Sequence, residues 1–196
     1  MLAIRLVWTY LFGMKLPKAV LLDRDGVINF DSPDYILAPE QWKPIPGSLE
    51  AIARLTAAGI PVAICSNQSG LGRGMMSPEA FQAIHARMML AIEEQHGEIG
   101  HVAYCPHGPD DDCDCRKPLP GLIEEALASL GIAPSEALMI GDSTRDVQAA
   151  HAAGVNAWLV QSGYGDADRI LDKSRELMPD IPAYPDLAAA VDALLA

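Results

Sequence analysis

Apolar runs and amphipathic segments alternate along most of this chain. Each apolar run is short enough for one buried strand, and the amphipathic segments repeat their apolar residues at helical spacing. The runs predict strands over residues 19–23, 60–66, 101–105, 137–142 and 156–160. Strands that are apolar on both faces are typical of a parallel sheet covered by helices. We therefore predict an α/β fold with a single doubly wound, mostly parallel sheet and right-handed crossovers.

Turn and capping residues mark the ends of the helices between these strands. Ser77 and Pro78 suit the N-cap and the first position of a helix that stops at Gly97. The other helices are predicted over about 48–58, from Gly121 to Gly131, 144–153 and 186–196. In a fold of this kind, ligands bind at the carboxyl ends of the strands. The functional side chains are therefore expected in the residues that follow each strand.

The chain is acidic, and this limits its partners. Its 196 residues carry a formal net charge of -12 at pH 7, and no stripe of lysine and arginine offsets that charge. Such a protein repels polyanions, so we expect no nucleic-acid partner. An acidic protein that binds an anionic substrate needs a cation at the site, either a metal ion or a few well-placed Lys and Arg side chains. The length fits one buried core.

The first residues, MLAIRLVWTYLFG, are apolar enough to suggest a signal or an anchor. They are fewer than the roughly 20 residues that cross a bilayer, and no small-residue cleavage site follows them. Met14 begins a segment that would make a natural start for the first strand. We interpret residues 1–17 as an extension that adds little to the fold, and residues 18–196 as the folded domain. A peripheral membrane contact is the alternative interpretation of the extension, and we expect no membrane partner.

Three of the predicted strands run directly into polar residues. These stretches are Asp23-Arg24-Asp25-Gly26, Ser66-Asn67-Gln68-Ser69-Gly70 and Gly141-Asp142-Ser143-Thr144-Arg145-Asp146. Two carboxylates at i and i+2 after a strand can both face one ligand, and the N–H groups of a glycine-containing loop suit an oxyanion. Each stretch alone is also an ordinary helix cap or turn. Their succession at strand ends indicates one site.

Three of the four cysteines fall in the stretch CPHGPDDDCDCRKP, residues 105–118. The spacing CxHx5CxC supplies four soft or borderline metal ligands: Cys105, His107, Cys113 and Cys115. Four protein ligands suit a tetrahedral ion and leave no open position, so we predict a structural zinc site. The ion would hold a long loop in place and so position Arg116 and Lys117, which directly follow the last ligand. A loop of free thiols is the alternative.

Four motifs, in this order, resemble those of the haloacid dehalogenase (HAD) superfamily of phosphatases. The matching stretches are LLDRDGVIN (21–29), CSNQSG (65–70), RKP (116–118) and IGDSTRD (140–146). The resemblance covers nearly everything from about residue 18 to 165 and implies a HAD-like Rossmannoid fold. The short spacing between the first two motifs leaves no room for a separate cap domain. We therefore expect specificity to come from the loops at about 31–45, 70–76 and 105–116.

The resemblance assigns catalytic roles to residues of these motifs. Asp23 would attack phosphorus and become an aspartyl-phosphate. Asp25 would protonate the leaving group and then take a proton from water, for which it must be protonated when substrate arrives. Ser66 would hydrogen-bond the phosphoryl oxygens, and Lys117 would neutralise charge on Asp23 and on the transferring group.

The resemblance also implies a magnesium site. Mg2+ would be held by the Asp23 carboxylate, the Asp25 backbone carbonyl and Asp142. Asp146 would orient the metal site or Lys117 rather than bind the ion. Some relatives have a lysine where this chain has Ser143. Lys117 would then carry the phosphate charge alone or with Arg116.

A zinc loop of this type resembles a small group of HAD phosphatases that act on D-glycero-D-manno-heptose 1,7-bisphosphate or on histidinol phosphate. The stretches SNQSGLGRG and RKPLPGL, and the DYI after the nucleophile region, favour the heptose bisphosphate. A second phosphate requires further cations, and Arg73 and Arg116 lie near the expected mouth of the site. Asn67 is expected to contact substrate as well. The resemblance implies a cytoplasmic enzyme of a heptose pathway that feeds lipopolysaccharide core or a related glycan.

A non-catalytic, zinc-containing binding module is the hypothesis from a different class. Retention of Asp23, Asp25, Lys117 and Asp142 disfavours it, because a binding module has no need of a proton-transferring Asp25. We expect a monomer, since no apolar stripe is left over once the helices cover the sheet.

Overall fold

A computed structural model describes residues 16–196 as one six-stranded parallel sheet covered on both faces by helices. The predicted extension, residues 1–17, therefore lies almost wholly outside the described residues. The strands are β1 (Ala19–Leu22), β2 (Val62–Asn67), β3 (His101–Cys105), β4 (Ala137–Gly141), β5 (Asn156–Val160) and β6 (Ala183–Tyr184). They lie in the order β3-β2-β1-β4-β5-β6, and every neighbouring pair is parallel. The prediction of a doubly wound α/β fold is confirmed.

Seven α-helices connect or follow these strands within residues 16–196. They are α1 (Ser48–Ala57), α2 (Ser69–Gly72), α3 (Pro78–Glu94), α4 (Gly121–Leu130), α5 (Thr144–Ala152), α6 (Ala167–Arg175) and α7 (Leu187–Leu195), with 3-10 turns at Pro39–Gln41 and Pro134–Glu136. Between β1 and α1 lie only loop and one of these turns, with no inserted cap domain. No helix of the described residues is long and apolar enough to cross a membrane.

The core forms two layers, one on each face of the sheet. All four residues of β1 are fully buried, and their side chains alternate between the layers: Val20 and Leu22 join one, Leu21 the other. Helices α1, α3 and α7 cover the first layer, and α4 and α5 cover the second. This double burial explains why β1 is a continuous apolar run rather than an alternating one.

The strand order creates a crevice beside β1. From β1 the chain runs outward through β2 to β3, then returns to place β4 on the other side of β1. The connections that leave β1 and β4 therefore diverge, which opens a gap at the carboxyl ends of these two strands. Residues that directly follow β1 and β4 face this gap, among them Asp23 and Asp142.

Local sequence signals set most of the helix ends. Ser77 caps α3, because its hydroxyl accepts the Ala80 N–H at 3.1 Å, and Pro78 follows at the first helical position. Gly131 ends α4 in a left-handed conformation, with φ of 66°. The strands β1 to β5 agree with the predicted ones to within two residues.

Candidate active site

Carboxylates gather at the carboxyl ends of β1 and β4. One oxygen each from Asp23, Asp142 and Asp146 lies within 4.8 Å of the other two. Asp23 stays in line with β1 because its N–H donates to the Ile140 carbonyl at 3.0 Å. Gly26 then takes φ of 83°, a conformation that glycine adopts without strain, and reverses the chain behind Asp23.

Lys117 is the cation of this group, and it is only 2% exposed. Its ammonium lies 2.9 Å from Asp23 Oδ1 and 2.6 Å from Asp146 Oδ1, and it donates to the Cys65 carbonyl at 2.7 Å. Burial acts to lower the pKa of Lys117, but the charges of Asp146 and Asp23 outweigh it and raise the pKa well above its usual value. Lys117 therefore stays charged and is held against Asp23.

Asp146 is a structural partner of Lys117. Its Oδ1 accepts from the Lys117 ammonium, and its Oδ2 accepts from the N–H and the hydroxyl of Ser143 at 3.0 and 2.6 Å. Burial acts to raise the pKa of Asp146, but Lys117 and the Ser143 donors lower it overall. These contacts engage both carboxylate oxygens, which suits a residue that orients Lys117. The contact with the Ser143 N–H is also part of the capping box that begins α5.

Asp23 and Asp142 are left with an excess of negative charge. Asp146 is paired with Lys117 and Asp25 with Arg24, so Asp23 and Asp142 share only the remaining attraction of Lys117. Burial, with repulsion from the neighbouring carboxylates, raises the pKa of Asp23 to about 7 and that of Asp142 to about 8. Two partly buried carboxylates short of a counter-charge, facing one another, fit a hard divalent cation such as Mg2+.

Two glycines shape the space around Asp142. A methyl group placed on Gly163 would overlap the Asp142 carboxylate, and one on Gly26 would lie 2.5 Å from its Oδ2. The loop after β5 is tied to the loop after β1, because the Ser162 hydroxyl donates to the Gly26 carbonyl at 2.7 Å. The Asp142 carboxylate is thus confined to a slot between two backbones.

Asp25 lies beside this group in a different environment. Its carboxylate accepts four hydrogen bonds: two from Arg24, at 3.1 and 2.8 Å, one from Asn29 at 2.8 Å and one from Gln68 at 2.9 Å. Burial acts to raise the pKa of Asp25, but Arg24 and these hydrogen bonds lower it overall. That Asp25 is protonated when substrate arrives stays a prediction, and these donors act against it. The expectation did not consider Arg24, whose side chain turns inward and is 4% exposed.

Ser66 and Asn67, at the end of β2, make different kinds of hydrogen bond. Ser66 is buried, and its hydroxyl oxygen accepts from Gln68 Nε2 at 2.8 Å, which leaves its hydrogen for another acceptor. Asn67, expected to contact substrate, makes two hydrogen bonds to the backbone of Lys117: its Nδ2 donates to the carbonyl at 2.9 Å and its Oδ1 accepts the N–H at 3.0 Å. The structure therefore uses the Asn67 amide to position Lys117.

The predicted zinc ligands do come together. Suitable atoms of Cys105, His107, Cys113 and Cys115 all lie within 4.8 Å of one another. His107 Nδ1 is 3.4 Å from the Sγ atoms of both Cys105 and Cys115, and the Cys105 and Cys113 sulfurs are 3.9 Å apart. Ligands at normal zinc bond lengths on a tetrahedron are separated by about 3.5 to 3.8 Å. The cluster therefore has the dimensions of a tetrahedral site that takes zinc.

The two arginines expected to bind a second phosphate differ in placement. Arg116 is half-buried, and its guanidinium donates to the His107 carbonyl at 3.0 Å, so the Cys/His loop anchors it. Arg73 is exposed at the C-cap of α2, and its side chain makes no hydrogen bond or ion pair within residues 16–196. The backbone still links the two loops, since Gly72 N–H donates to the Pro106 carbonyl at 2.9 Å.

Comparison with known proteins gives a consistent result. A family model for haloacid dehalogenase-like hydrolases matches residues 20–154. The chain is 45% identical over 179 residues to a D-glycero-beta-D-manno-heptose-1,7-bisphosphate 7-phosphatase of Pseudomonas putida, covering 91% of this chain and 99% of that one. A protein of the same name from Pseudomonas aeruginosa is 46% identical over 90% of this chain and 97% of its own.

A solved structure is similar over almost the whole chain. It is the D,D-heptose 1,7-bisphosphate phosphatase of Bordetella bronchiseptica, in complex with magnesium and phosphate. The TM-score is 0.84 at 42% identity, and the match covers 90% of this chain and 98% of that one. With the motifs in place around one crevice and a family model matched over most of its length, the chain belongs to the haloacid dehalogenase-like hydrolases.

Proposed function

We propose that this protein is a Mg2+-dependent phosphatase that removes the 7-phosphate of D-glycero-D-manno-heptose 1,7-bisphosphate. The observation that carries the proposal is the Asp23 carboxylate, 14% exposed, held by Lys117 and facing Asp142. The names of the relatives, all heptose bisphosphate phosphatases at 43 to 46% identity among the first five, support the substrate and favour its β-anomer.

Asp23 is the nucleophile in this proposal. Its free oxygen attacks phosphorus, the bond from phosphorus to the sugar oxygen breaks, and an aspartyl-phosphate forms. Lys117 is close enough to Asp23 Oδ1, at 2.9 Å, to fix the carboxylate and to offset charge on the phosphoryl group. Asn67 contributes indirectly, because it fixes the backbone of Lys117.

Asp25 transfers the proton in both halves of the reaction. For the first half of the reaction Asp25 must be protonated: it gives that proton to the departing sugar oxygen and then takes one from the water that attacks the aspartyl-phosphate. The negative charge of the bound phosphate groups favours the protonated form, against the neighbouring donors that lower the pKa of Asp25. The second transfer returns Asp25 to its starting form and Asp23 to a free carboxylate. Asp25 is 21% exposed at its side chain, so it remains accessible from the crevice.

Asp23, Asp142 and the backbone carbonyl of Asp25 would hold Mg2+. When bound, the ion supplies positive charge that stabilises the phosphoryl oxygens as negative charge develops on them. The slot between Gly26 and Gly163 keeps the Asp142 carboxylate directed at Asp23. The Ser66 hydroxyl would donate to a phosphoryl oxygen, since its oxygen accepts from Gln68 and its hydrogen stays free for another acceptor.

The Cys/His cluster would hold zinc and act on substrate through Arg116. An ion there would fix His107, whose carbonyl accepts from the Arg116 guanidinium. Arg116 directly precedes Lys117 in sequence, and in this proposal its guanidinium binds the second phosphate of the sugar. We assign Arg73 a weaker, solvent-exposed role at the mouth of the site.

We further propose that the protein acts as a monomer in the cytoplasm, where reducing conditions keep the cluster thiols free to bind metal.

The test is phosphate release by the purified protein with Mg2+, with heptose 1,7-bisphosphate and histidinol phosphate compared side by side. We expect a strong preference for the bisphosphate and no turnover by Asp23→Asn, which should keep its fold. Preference for histidinol phosphate would overturn the substrate assignment. Absence of turnover with either substrate would overturn the assignment of Asp23, and would favour a zinc-containing binding module.

A further inference from the structure

The three side chains that contact Asp25 form a group of their own, which we call the Asp25 clamp: Arg24, Asn29 and Gln68. Each Asp25 oxygen accepts two hydrogen bonds, Oδ1 from Arg24 Nε and Asn29, and Oδ2 from Arg24 Nη2 and Gln68. The two bonds from Arg24 fix the plane of the carboxylate, because guanidinium and carboxylate are both planar and match as a fork. Donors on both oxygens then prevent rotation about the Cβ–Cγ bond.

The clamp is itself rigid. Arg24, Asn29 and Gln68 are 4%, 0% and 6% exposed. Trp42 makes no hydrogen bond to Asp25 in the described part of the chain, and it donates its indole N–H to Asn29 Oδ1 at 2.9 Å. An indole nitrogen can only donate, so the amide oxygen of Asn29 must face Trp42 and its NH2 must face Asp25. The direction of the Asn29 amide is therefore determined by a buried side chain from another segment.

Burying hydrogen-bond donors of this kind costs free energy unless each donor finds an acceptor, so the need to fill space does not explain why they are here. A buried arginine and two buried amides need partners, and here they all converge on one carboxylate that opens to the crevice. Apolar side chains could fill the same volume without that requirement. Convergent donors give Asp25 a fixed direction, which apolar side chains would not.

We propose that Arg24, Asn29 and Gln68 are positioning residues for Asp25, and that Trp42 positions Asn29. They act on the reaction by aiming the Asp25 carboxyl at the oxygen that gains or loses a proton. The Asp25 oxygen that carries the proton gives up one of its two clamp hydrogen bonds while it is protonated. This inference rests on the proposed function, in which Asp25 transfers that proton. A displacement of about 1 Å in a reacting group can cost about 10²-fold in rate.

The test is a double-mutant cycle between the clamp and Asp25. Asn29→Leu removes the amide but keeps a branched side chain of similar size, and Arg24→Lys keeps the charge but loses the fork. We measure kcat and KM for phosphate release from heptose 1,7-bisphosphate with Mg2+. In the wild-type background we expect kcat to fall about 10²-fold for each variant, with KM changed less than about threefold.

In the Asp25→Asn background the same substitutions should lower kcat by less than about threefold further, because the group they position is already gone. A full loss in both backgrounds would overturn the proposal, since it would show a general structural effect. No loss in the wild-type background would overturn it as well. Two different clamp variants guard against the misfolding of one, and each is checked by its melting temperature.

Ser48→Ala is the matched control. The Ser48 hydroxyl is fully buried and donates at 2.6 Å to the carbonyl of Ile28, which directly precedes Asn29. Among the described residues the Ser48 side chain makes no hydrogen bond to the clamp. It should destabilise the loop and leave kcat within about threefold of wild type. A fall in kcat equal to that of Asn29→Leu would overturn the inference. Failure of the proposed function is recognised separately, because wild-type protein would then not hydrolyse the substrate.

Discussion

The slot around Asp142 gives a prediction that can be worked from distances. A methyl group on Gly163 would lie 2.6 Å from Cγ and 2.8 Å from Cβ of Asp142. Ordinary carbon contacts are at about 3.5 Å or more. Rotation of the side chain cannot relieve the contact with Cβ, because Cβ is attached to the backbone. Gly163→Ala must therefore shift the end of β4 or the loop after β5 by about 0.7 Å.

We expect a shift of that size to weaken Mg2+ binding at the proposed site more than it destabilises the fold. Loss of the surroundings that orient a metal ligand costs about 10- to 100-fold in metal affinity. We expect Gly163→Ala to bind Mg2+ more weakly by that factor. The Mg2+ concentration for half-maximal phosphate release should rise equally. Direct titration of Mg2+ by calorimetry measures the affinity without relying on turnover.

Gly165→Ala provides the control for this prediction. It lies in the same loop, but a methyl group there would meet the Cδ1 end of Ile170, which can move. We expect its Mg2+ affinity to remain within about threefold of wild type. Equal affinity in Gly163→Ala and wild type would refute the assignment of Asp142 as a ligand held by the slot. Equal weakening in both variants would refute the specific role of Gly163.

Three further changes test other parts of the structure. Lys117→Met leaves Asp146 as a buried charge without its cation, so unfolding in urea should show a loss of about 3–5 kcal/mol, and kcat should fall at least about 10²-fold. Cys115→Ser, or removal of zinc by a chelator, should lower the melting temperature and raise KM for the bisphosphate, because Arg116 loses its anchor. Ser77→Ala removes the cap of α3 and should cost about 1 kcal/mol by the same unfolding measurement, without changing kcat.

The sequence predicted the sheet well because strands that are buried on both faces consist of consecutive apolar residues. Strand β1 is buried on both faces, so its four residues are all apolar. Helix α6 and strand β6 were missed for the opposite reason. In α6 the larger apolar residues, Ile170 and Leu171, are only half-buried, and β6 has two residues that pair with the end of β5. Neither element has a long apolar pattern.

The sequence predicts the site residues that follow directly after strands. It does not predict contacts that depend on how two loops fold against each other. Asp23 and Asp142 follow strands, so strand positions suffice to bring them together. The inward turn of Arg24 and the approach of Gln68 to Asp25 depend on how two loops fold against each other. The hydrogen bonds from Asn67 to the Lys117 backbone span 50 positions in sequence and leave no local pattern, and a contact of Asn67 with substrate stays a prediction.

The central proposal is that Asp23 carries the phosphoryl group. The most direct measurement is to mix the protein with heptose 1,7-bisphosphate and Mg2+, quench it in acid within one turnover, and reduce it with borohydride. Reduction converts an aspartyl-phosphate to homoserine, which peptide mass spectrometry can locate. We expect homoserine at position 23 only when substrate and Mg2+ are both present. Homoserine at another aspartate, or none at any position while phosphate is released, would contradict the proposal.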